Sequence, residues 1–369
     1  MDYSAPLQYH YRPAKGWVND PNGLVCFGGY YHVFYQHCPN HEIPGKEAMY
    51  WGHARTKDFL RWEELPVALA PAAPYDNCGC WSGTAIVKDD VLYLFYASLY
   101  VPEGETTPLQ TVSVAYSTDG IHFEKYAGNP VIGHWPADGC PDFRDPAVCC
   151  VDGEYYCVMA SGSEAAKQAR LLLYKSTDLL HWEYSGILSS WENARFAECP
   201  SLVNAPDGRQ LLAASVCTQE KHWFSLMYGR LADGKFHVEA AGEVDKGPDQ
   251  YAGQVFADAF GRSLLISWVP GWPYAGYYAP KDIGCMSVPR QLTLGADGVV
   301  RGYPVKELQH LLKTEDPAVQ RTADGFVIPR TGREPVVYSG ELRELAILRD
   351  EYILEVFVNG GEEIYTVLL

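Results

Sequence analysis

A repeat of five similar segments is the feature that most constrains the fold of this chain. Each segment has an apolar run, a short polar or glycine turn, and a second run rich in aromatic and β-branched residues. The five segments cover residues 23–37, 83–99, 145–161, 199–216 and 253–269. Their starts lie about 54 to 62 residues apart, and a fixed period of this order is the signature of a repeat architecture. Each segment is therefore predicted to form a β-hairpin.

The turn of each predicted hairpin falls on a short polar or glycine-containing pair. These pairs are Gly28-Gly29, Asp89-Asp90, Asp152-Gly153, Asp207-Gly208 and Phe260-Gly261. Five repeats of this length, each with room for four strands, predict an all-β, five-bladed β-propeller that covers residues 1–305. A sandwich and a β-helix are the competing all-β folds. Sandwich strands do not recur as matched hairpins at so long a period, and the coils of a β-helix are far shorter.

After about residue 305 the repeat stops, and residues 306–369 are predicted to form a second, smaller unit. The apolar spacing of residues 305–312 predicts a short helix. Near the end of the chain, the runs 352–358 and 364–369 flank Asn359-Gly360, which is a strong hairpin turn signal. We expect a small β module that packs on the propeller.

Charge and composition restrict the partners. The formal net charge of −17 disfavours nucleic acid and other polyanions, since an acidic surface repels phosphate backbones. No apolar run is long enough to cross a bilayer, so no membrane partner is expected. Aromatic residues make up 13% of the chain, which suits both an all-β fold and a site where flat rings stack on sugars.

The cysteines and the first residues indicate a cytoplasmic protein with reduced thiols. The count of 11 cysteines is odd, and no basic segment followed by an apolar run opens the chain. Cys78 and Cys80 are close enough to share a metal, but no second pair or histidine cluster has zinc-site spacing. We therefore expect neither a metal nor a cofactor, and the sequence gives no oligomeric state.

Three of the five repeats place a carboxylate just before or at the start of the first strand. These residues are Asp20, Asp145 and Glu198. Because the innermost strands of a propeller begin near its axis, their side chains are expected to meet in one pocket. Glycoside hydrolysis needs this kind of set, with one ionised carboxylate and one protonated acid. The sequence therefore predicts a glycosidase site.

The surroundings of these carboxylates suggest different roles, although each has a simpler interpretation. Arg144 precedes Asp145 and is expected to keep it ionised, whereas the apolar neighbours of Glu198 should favour its acid form. Taken alone, an Asp-Pro pair is more often a turn, and a lone glutamate before a strand is usually solvated. The same position in three repeats is what favours a shared site.

These motifs resemble those of glycoside hydrolase family 32, the invertase and fructanase family. Residues 17–23 read Trp-Val-Asn-Asp-Pro-Asn-Gly, similar to the family's Trp-Met-Asn-Asp-Pro-Asn-Gly signature. Residues 144–146 match its Arg-Asp-Pro motif, and residues 198–199 match its Glu-Cys motif. The resemblance runs from about residue 8 to residue 310. It implies a five-bladed propeller followed by a β-sandwich. Only 57 residues follow Leu312, so the predicted second unit is a small, shortened, β-sandwich-like module.

The resemblance also implies an activity and a set of roles. It implies a retaining β-fructofuranosidase that acts on sucrose, sucrose 6-phosphate or short fructo-oligosaccharides through a covalent fructosyl-enzyme. Asp20 would be the nucleophile, Glu198 the acid/base and Asp145 the transition-state stabiliser. A retaining mechanism predicts that the carboxyl groups of Asp20 and Glu198 lie about 5–5.5 Å apart. The residues implied to shape the fructose pocket are Asn19, Gln36, Trp51, Ser82 and Arg144. Trp51 is equally well explained as a core aromatic, and Gln36 as a partner of backbone at a strand end.

Some positions depart from the family pattern and leave other functions open. Ala197 stands where many members have tryptophan, and Ser201 where aspartate is common, so the leaving-group side of the pocket is not defined by the motifs. A fructosyltransferase and an inverting pentosidase of a related propeller family remain alternatives, as does a non-catalytic sugar-binding propeller. The products formed and their anomeric configuration distinguish them.

Overall fold

The computed structural model describes residues 5–163, 167–270 and 284–369. Among these residues β-strands dominate, and the one helical element is a 3-10 turn at Gln309–Leu311. The expectation of an all-β chain is confirmed. The helix predicted for residues 305–312 is reduced to this single turn, because Leu312 already has an extended backbone with φ of −69° and ψ of 139°.

The first four sheets each contain four antiparallel strands that pair in chain order. The first sheet has β1 (Trp17–Phe27), β2 (Tyr30–Cys38), β3 (Tyr50–Thr56) and β4 (Trp62–Leu69). The second has β5 (Gly79–Lys88), β6 (Val91–Tyr100), β7 (Leu109–Ser117) and β8 (Glu124–Lys125). The third has β9 (Arg144–Val151), β10 (Glu154–Ser163), β11 (Gln168–Ser176) and β12 (Glu183–Glu192). The fourth has β13 (Phe196–Asn204), β14 (Gln210–Cys217), β15 (His222–Ala232) and β16 (Lys235–Glu243).

The remaining strands form one larger sheet and two small ones. The fifth sheet has β17 (Tyr251–Ala257), β18 (Ser263–Val269), β19 (Cys285–Met286), β20 (Arg290–Leu294) and β21 (Val300–Pro304). The sixth has β22 (Gln320–Thr322), β23 (Gly325–Ile328) and β24 (Val336–Ser339). The seventh has β25 (Leu345–Asp350), β26 (Ile353–Val358) and β27 (Glu363–Leu368).

The five predicted hairpins are confirmed. Each predicted turn falls between the first and second strands of one of the first five sheets, and those strands pair antiparallel. The hairpin predicted near the end of the chain is also present, since β26 pairs antiparallel with β27. Hydrophobic patterning and turn residues were therefore enough to locate these elements.

The first strands of these five sheets contact one another in sequence order. β1 contacts β5, β5 contacts β9, β9 contacts β13, and β13 contacts β17. β17 in turn contacts β1. The five sheets are thus arranged so that their first strands, which carry the predicted carboxylates, lie side by side.

Aromatic side chains fill the space between neighbouring sheets. Trp51 of the first sheet meets Tyr96 of the second edge-on, with ring centroids 6.4 Å apart. Phe95 of the second sheet meets Trp182, directly before β12 of the third sheet, in the same way at 5.8 Å. Such pairs add to the burial of apolar area, which accounts for part of the high aromatic content.

Each of the first five sheets has a β-bulge at the same place in its first strand. Between two register positions, the first strand advances three residues while its partner advances two. The bulged residues are Asn19 and Asp20 in β1, Trp81 and Ser82 in β5, Asp145 and Pro146 in β9, Cys199 and Pro200 in β13, and Ala252 and Gly253 in β17. A bulge breaks the strict alternation of side chains and re-aims them. The fold therefore repeats one local distortion where the predicted site residues lie.

A buried ionic cluster joins the start of the described chain and the fifth sheet to the seventh sheet. It consists of His10, Asp245, Arg290, Asp350 and Glu355, all less than 5% exposed. The imidazole of His10 lies 2.9 Å from an Asp350 oxygen and 3.0 Å from a Glu355 oxygen. The guanidinium of Arg290 donates to Asp245 at 2.6 Å and to Glu355 at 3.2 Å. Charges buried this deeply are tolerated only because they are paired.

All 11 cysteines lie in the described residues, and all are free thiols, as the sequence predicted. No helix among the described residues is long and apolar enough to cross a membrane.

Candidate functional site

A cavity of about 480 Å³ opens at the end of the sheets where the first strands begin. Seven of the eight predicted site residues line it. They are Asn19, Asp20, Gln36, Ser82, Arg144, Asp145 and Glu198. The bulges in β1, β5 and β9 supply four of them, so the repeated distortion brings residues that are far apart in sequence into one pocket.

Asp20 is buried and surrounded by donors. Its Oδ2 accepts hydrogen bonds from the Ser82 hydroxyl at 2.8 Å and from the Cys199 thiol at 3.3 Å. Its Oδ1 accepts one from the side-chain amide of Asn19 at 3.1 Å. Burial nevertheless raises the pKa of Asp20 above its usual value, and the charge of Glu198 adds to this, while the three donors act in the opposite direction. The carboxylate is thus held in one orientation but desolvated, as an attacking group requires.

Asp145 is buried at the bulge of β9 with a left-handed backbone of φ +58°. Its Oδ2 accepts a hydrogen bond from the backbone N–H of Cys199 at 2.9 Å, which ties the third sheet to the fourth. Burial raises the pKa of Asp145 to about 7, and the nearby Arg144 offsets this only in part. The charge of Arg144 thus acts on Asp145 in the direction expected from the sequence, but it does not outweigh burial.

The guanidinium of Arg144 instead pairs with Glu198. Its Nη2 donates to Glu198 Oε1 at 2.7 Å, and its Nη1 donates to Asp142 at 2.9 Å. The other oxygen of Glu198 accepts a short hydrogen bond from the Tyr251 hydroxyl. The environment of Glu198 is more polar than its apolar sequence neighbours suggest, because both of its oxygens accept hydrogen bonds and its side chain is 20% exposed.

Trp51 is the predicted site residue that the structure does not bring into the cavity lining. Its side chain is fully buried, and its indole N–H donates to the carbonyl of Trp81 at 2.9 Å. Gln36 similarly donates to the carbonyl of Cys80 at 3.1 Å, although it also lines the cavity. Both side chains hold the backbone of β5 directly before Ser82, so Trp51 is a core aromatic that positions the second bulge.

Several residues that contact this site were missed. Tyr251 donates to Glu198, and Asp142 pairs with Arg144. Burial raises the pKa of the Tyr251 hydroxyl well above its usual value, so this group remains a donor at any ordinary pH. The signal that identifies Tyr251 is its place in the repeat, since it begins β17 just as Arg144 begins β9.

The arrangement suits acid–base and nucleophilic chemistry on a small neutral molecule. Three carboxylates with different hydrogen-bond partners share one cavity, which includes the pair that glycoside hydrolysis uses. Among the described residues, no group of three or more histidine, cysteine, aspartate or glutamate side chains has a geometry suited to a metal ion.

Comparisons with known proteins relate the whole chain to one enzyme family. Residues 10–304 match the family model described as "Glycosyl hydrolases family 32 N-terminal domain". A sucrose-6-phosphate hydrolase of Zymomonas mobilis is 31% identical over 366 residues, which cover 93% of this chain and 69% of that protein. A levanase of Bacillus subtilis is 34% identical over 348 residues, which cover 83% of this chain and 48% of the levanase. This chain thus spans about two thirds of the first relative and about half of the second.

Solved structures show the same fold. The β-fructofuranosidase of Bombyx mori, described as a GH32 enzyme, superimposes with a TM-score of 0.83 at 27% identity and covers 99% of this chain and 89% of that chain. The sucrose-6-phosphate hydrolase of Lactobacillus gasseri superimposes with a TM-score of 0.84 at 23% identity, covering 98% and 88% respectively.

Proposed function

The chain belongs to glycosyl hydrolase family 32 and is a glycoside hydrolase; on that premise we propose that it is a retaining β-fructofuranosidase. The observation that carries this proposal is the meeting of Asp20, Asp145 and Glu198 in one cavity, each with its own hydrogen-bond partners. The substrates in this proposal are β-fructosides such as sucrose and short fructo-oligosaccharides. The names of the relatives, which include a hydrolase of a phosphorylated sucrose, a levanase and a β-fructofuranosidase, support this class of bond.

In the proposed reaction Asp20 attacks the anomeric carbon of the fructosyl unit. Glu198 gives a proton to the glycosidic oxygen as that bond breaks, so the leaving sugar departs as a neutral alcohol. Glu198 then takes a proton from water, whose oxygen displaces Asp20 and releases fructose. Support comes from the Ser82, Asn19 and Cys199 donors, which orient Asp20.

Asp145 and Arg144 are proposed to bind the fructosyl hydroxyls. Asp145 has one oxygen engaged by the Cys199 backbone, which leaves its other oxygen available as an acceptor. Arg144 bridges Asp142 and Glu198, so substrate hydroxyls would compete with these carboxylates for its donors. Gln36 completes this part of the lining, and Trp51 acts through the position of Ser82.

We also propose a finer description of the fold. The five sheets whose first strands contact one another in order support a five-bladed β-propeller that covers residues 1–305. The sixth and seventh sheets, of three strands each, support a separate β-sandwich-like unit within residues 306–369.

Release of fructose from sucrose and 1-kestose tests the proposed activity, and reaction in the presence of methanol tests the proposed stereochemistry. A retaining enzyme transfers the fructosyl group to methanol with its configuration kept, so methyl β-fructofuranoside is the expected product. The α-anomer would contradict a covalent fructosyl-enzyme and favour inversion. Absence of fructose from both sugars would contradict the β-fructofuranosidase assignment itself.

Replacement of Tyr251 by phenylalanine is expected to lower kcat by about tenfold and to move the alkaline limb of the pH–rate profile to higher pH. The hydroxyl of Tyr251 donates to Glu198, and loss of a donor to a carboxylate favours its protonated form. The tenfold figure corresponds to a hydrogen bond to a charged group of about 1.5 kcal/mol. Steady-state rates on sucrose across the pH range measure both effects.

Tyr228 provides the matched control for this change. It is buried like Tyr251 and lies in the fourth sheet, but among the described residues its hydroxyl makes no hydrogen bond to Glu198, unlike that of Tyr251. Tyr228→Phe should leave the shape of the pH profile unchanged. An unshifted profile in Tyr251→Phe would mean that Tyr251 only packs against its neighbours.

A further inference from the structure

The outer rim of the cavity carries acidic and amide side chains that the proposed fructosyl contacts do not use. The connection between β2 and β3 contributes Glu47 and Met49 to the lining, the first residues of β7 contribute Gln110, and the approach to β9 contributes Asp142. Asp20 and Asp145 are buried, whereas Asp142 is exposed and Glu47 partly exposed. A leaving group attached to the fructosyl unit would therefore extend toward this outer part of the cavity.

Glu47 is held in a defined position on this rim. One of its oxygens accepts the backbone N–H of Asn40 at 2.8 Å, and the other accepts the side-chain amide of Asn40 at 3.1 Å. An ionised carboxylate has about four acceptor positions, so Glu47 keeps acceptor capacity for a further donor. A fixed carboxylate with spare acceptor capacity suits the hydroxyls of a sugar.

Gln110 and Asp142 offer further polar groups. Gln110 lines the cavity, and the Oε1 of its amide is buried without a hydrogen-bond partner among the described residues. Rotation of the amide would bring this oxygen to a ligand hydroxyl and satisfy it. Asp142 accepts one hydrogen bond from Arg144 and is half exposed. Together with Glu47, these side chains present mainly acceptors to whatever occupies the rim.

The charge of the rim also bears on which leaving groups it can accept. Arg144 is the one cation among the described residues of the lining, and its two terminal nitrogens each donate to a carboxylate. A phosphate group on the leaving sugar would therefore approach Glu47 and Asp142. Two like charges within a few ångströms of each other at a partly solvated site repel with a free energy comparable to that of one or more hydrogen bonds.

Building on the proposed β-fructofuranosidase activity, we propose that this rim is a leaving-group site for uncharged sugars and that Glu47 and Asp142 select against phosphorylated ones. The substrate class is then sucrose and neutral fructo-oligosaccharides. Hydroxyl groups of the leaving sugar donate to Glu47, Asp142 and Gln110, and a phosphate is disfavoured at the same positions.

The test compares kcat/KM for sucrose and for sucrose 6-phosphate in the wild-type protein and in Glu47→Gln. The wild type should prefer sucrose by at least about tenfold, the ratio expected for repulsion between nearby charges at a partly solvated site. Glu47→Gln keeps the shape of the side chain but removes its charge. It should narrow the preference about three- to tenfold, chiefly by improving turnover of the phosphorylated sugar.

Asp90→Asn is the matched control, because it makes the same change of net charge at an exposed turn between β5 and β6, at the far end of that sheet from Trp81. It should leave the ratio unchanged, whereas Asp142→Asn should narrow it as Glu47→Gln does.

Equal or better turnover of sucrose 6-phosphate by the wild type overturns the proposed selectivity while the β-fructofuranosidase activity stands. A preference for sucrose that neither Glu47→Gln nor Asp142→Asn narrows overturns the role of the rim. Absence of fructose from both sugars and from kestose counts against the underlying activity.

Discussion

Asp20→Asn is expected to lower kcat/KM for sucrose by about four to six orders of magnitude, the range found when the nucleophile of a hydrolase is removed. The amide cannot form the covalent fructosyl-enzyme, because it lacks the negative charge and the nucleophilicity of a carboxylate. The substitution keeps the shape of the side chain, so the neighbouring Ser82 and Asn19 retain a partner of similar size. Fructose release under identical conditions for the two proteins measures the loss.

Thermal unfolding separates this chemical effect from a loss of structure. Burial raises the pKa of Asp20, which means that its ionised form is less favourable in the folded than in the unfolded chain. A neutral asparagine should therefore give an equal or higher Tm at neutral pH. Ser82→Ala removes one donor to Asp20 and should cost only about ten- to a hundredfold in kcat/KM. More than about one hundredth of wild-type activity in Asp20→Asn would assign the nucleophile to another residue.

Hydrophobic patterning located the five hairpins, because the alternation of apolar residues and the turn pairs act locally. It did not reveal the bulges. Asp20-Pro21 and Asp145-Pro146, taken singly, favoured turns, yet both pairs lie inside first strands. Proline lacks an N–H and is tolerated in a sheet mainly at edges and bulges. Proline recurs within or directly after these bulges, at 21, 146 and 200, but only the paired strands show how each bulge aims its side chains.

The sequence predicted most of the residues that share the cavity, but it did not predict which of them form hydrogen bonds or ion pairs with one another. Repeat position brought Asp20, Asp145 and Glu198 together, because each lies in or directly before the bulge of its first strand, and these bulges share one end of the molecule. Neighbours in sequence did not predict ion pairs: Arg144 precedes Asp145 but reaches Glu198, 54 positions away, on the next sheet. The long side chain of arginine spans the gap between sheets, and that geometry depends on packing that no local pattern records. Packing also decides the place of Trp51, which is fully buried between sheets and lies outside the cavity lining.

The segment that carries Tyr251 depends on the seventh sheet. Asp245 accepts hydrogen bonds from the backbone and hydroxyl of Thr366 in β27, at 3.1 and 2.5 Å. Asp249 accepts the backbone N–H of Leu368 at 2.7 Å. Residues 245–250 lead directly into β17, whose first residue donates to Glu198. The buried ionic cluster therefore fixes both the seventh sheet and the approach to the site.

Arg290→Ala is expected to lower the free energy of unfolding by about 3–5 kcal/mol, the cost of leaving buried carboxylates without their partner. Arg290 is fully buried and donates to Asp245, Glu355 and Thr366. Its removal leaves the buried carboxylates of Asp245 and Glu355 without their cationic partner and without access to water. Chemical denaturation measures the loss. Arg301→Ala is the control, since Arg301 pairs with Asp297 and Glu362 at the surface, where such pairs contribute about 1 kcal/mol or less.

The pH dependence of unfolding adds a second measurement on the same cluster. Burial alone would lower the pKa of His10, but its hydrogen bonds and proximity to Asp350 and Glu355 outweigh burial and raise it from 6.5 to about 9. A raised histidine pKa means that the folded state binds the proton more tightly, so this contribution is fully present below about pH 6.5 and is lost as pH rises through about 9. The wild type should lose stability over this interval, and His10→Gln should lose less of it. A wild-type stability that stays level across the interval, together with an Arg290→Ala variant as stable as Arg301→Ala, would mean that the cluster is hydrated and that the seventh sheet is held by its apolar contacts alone.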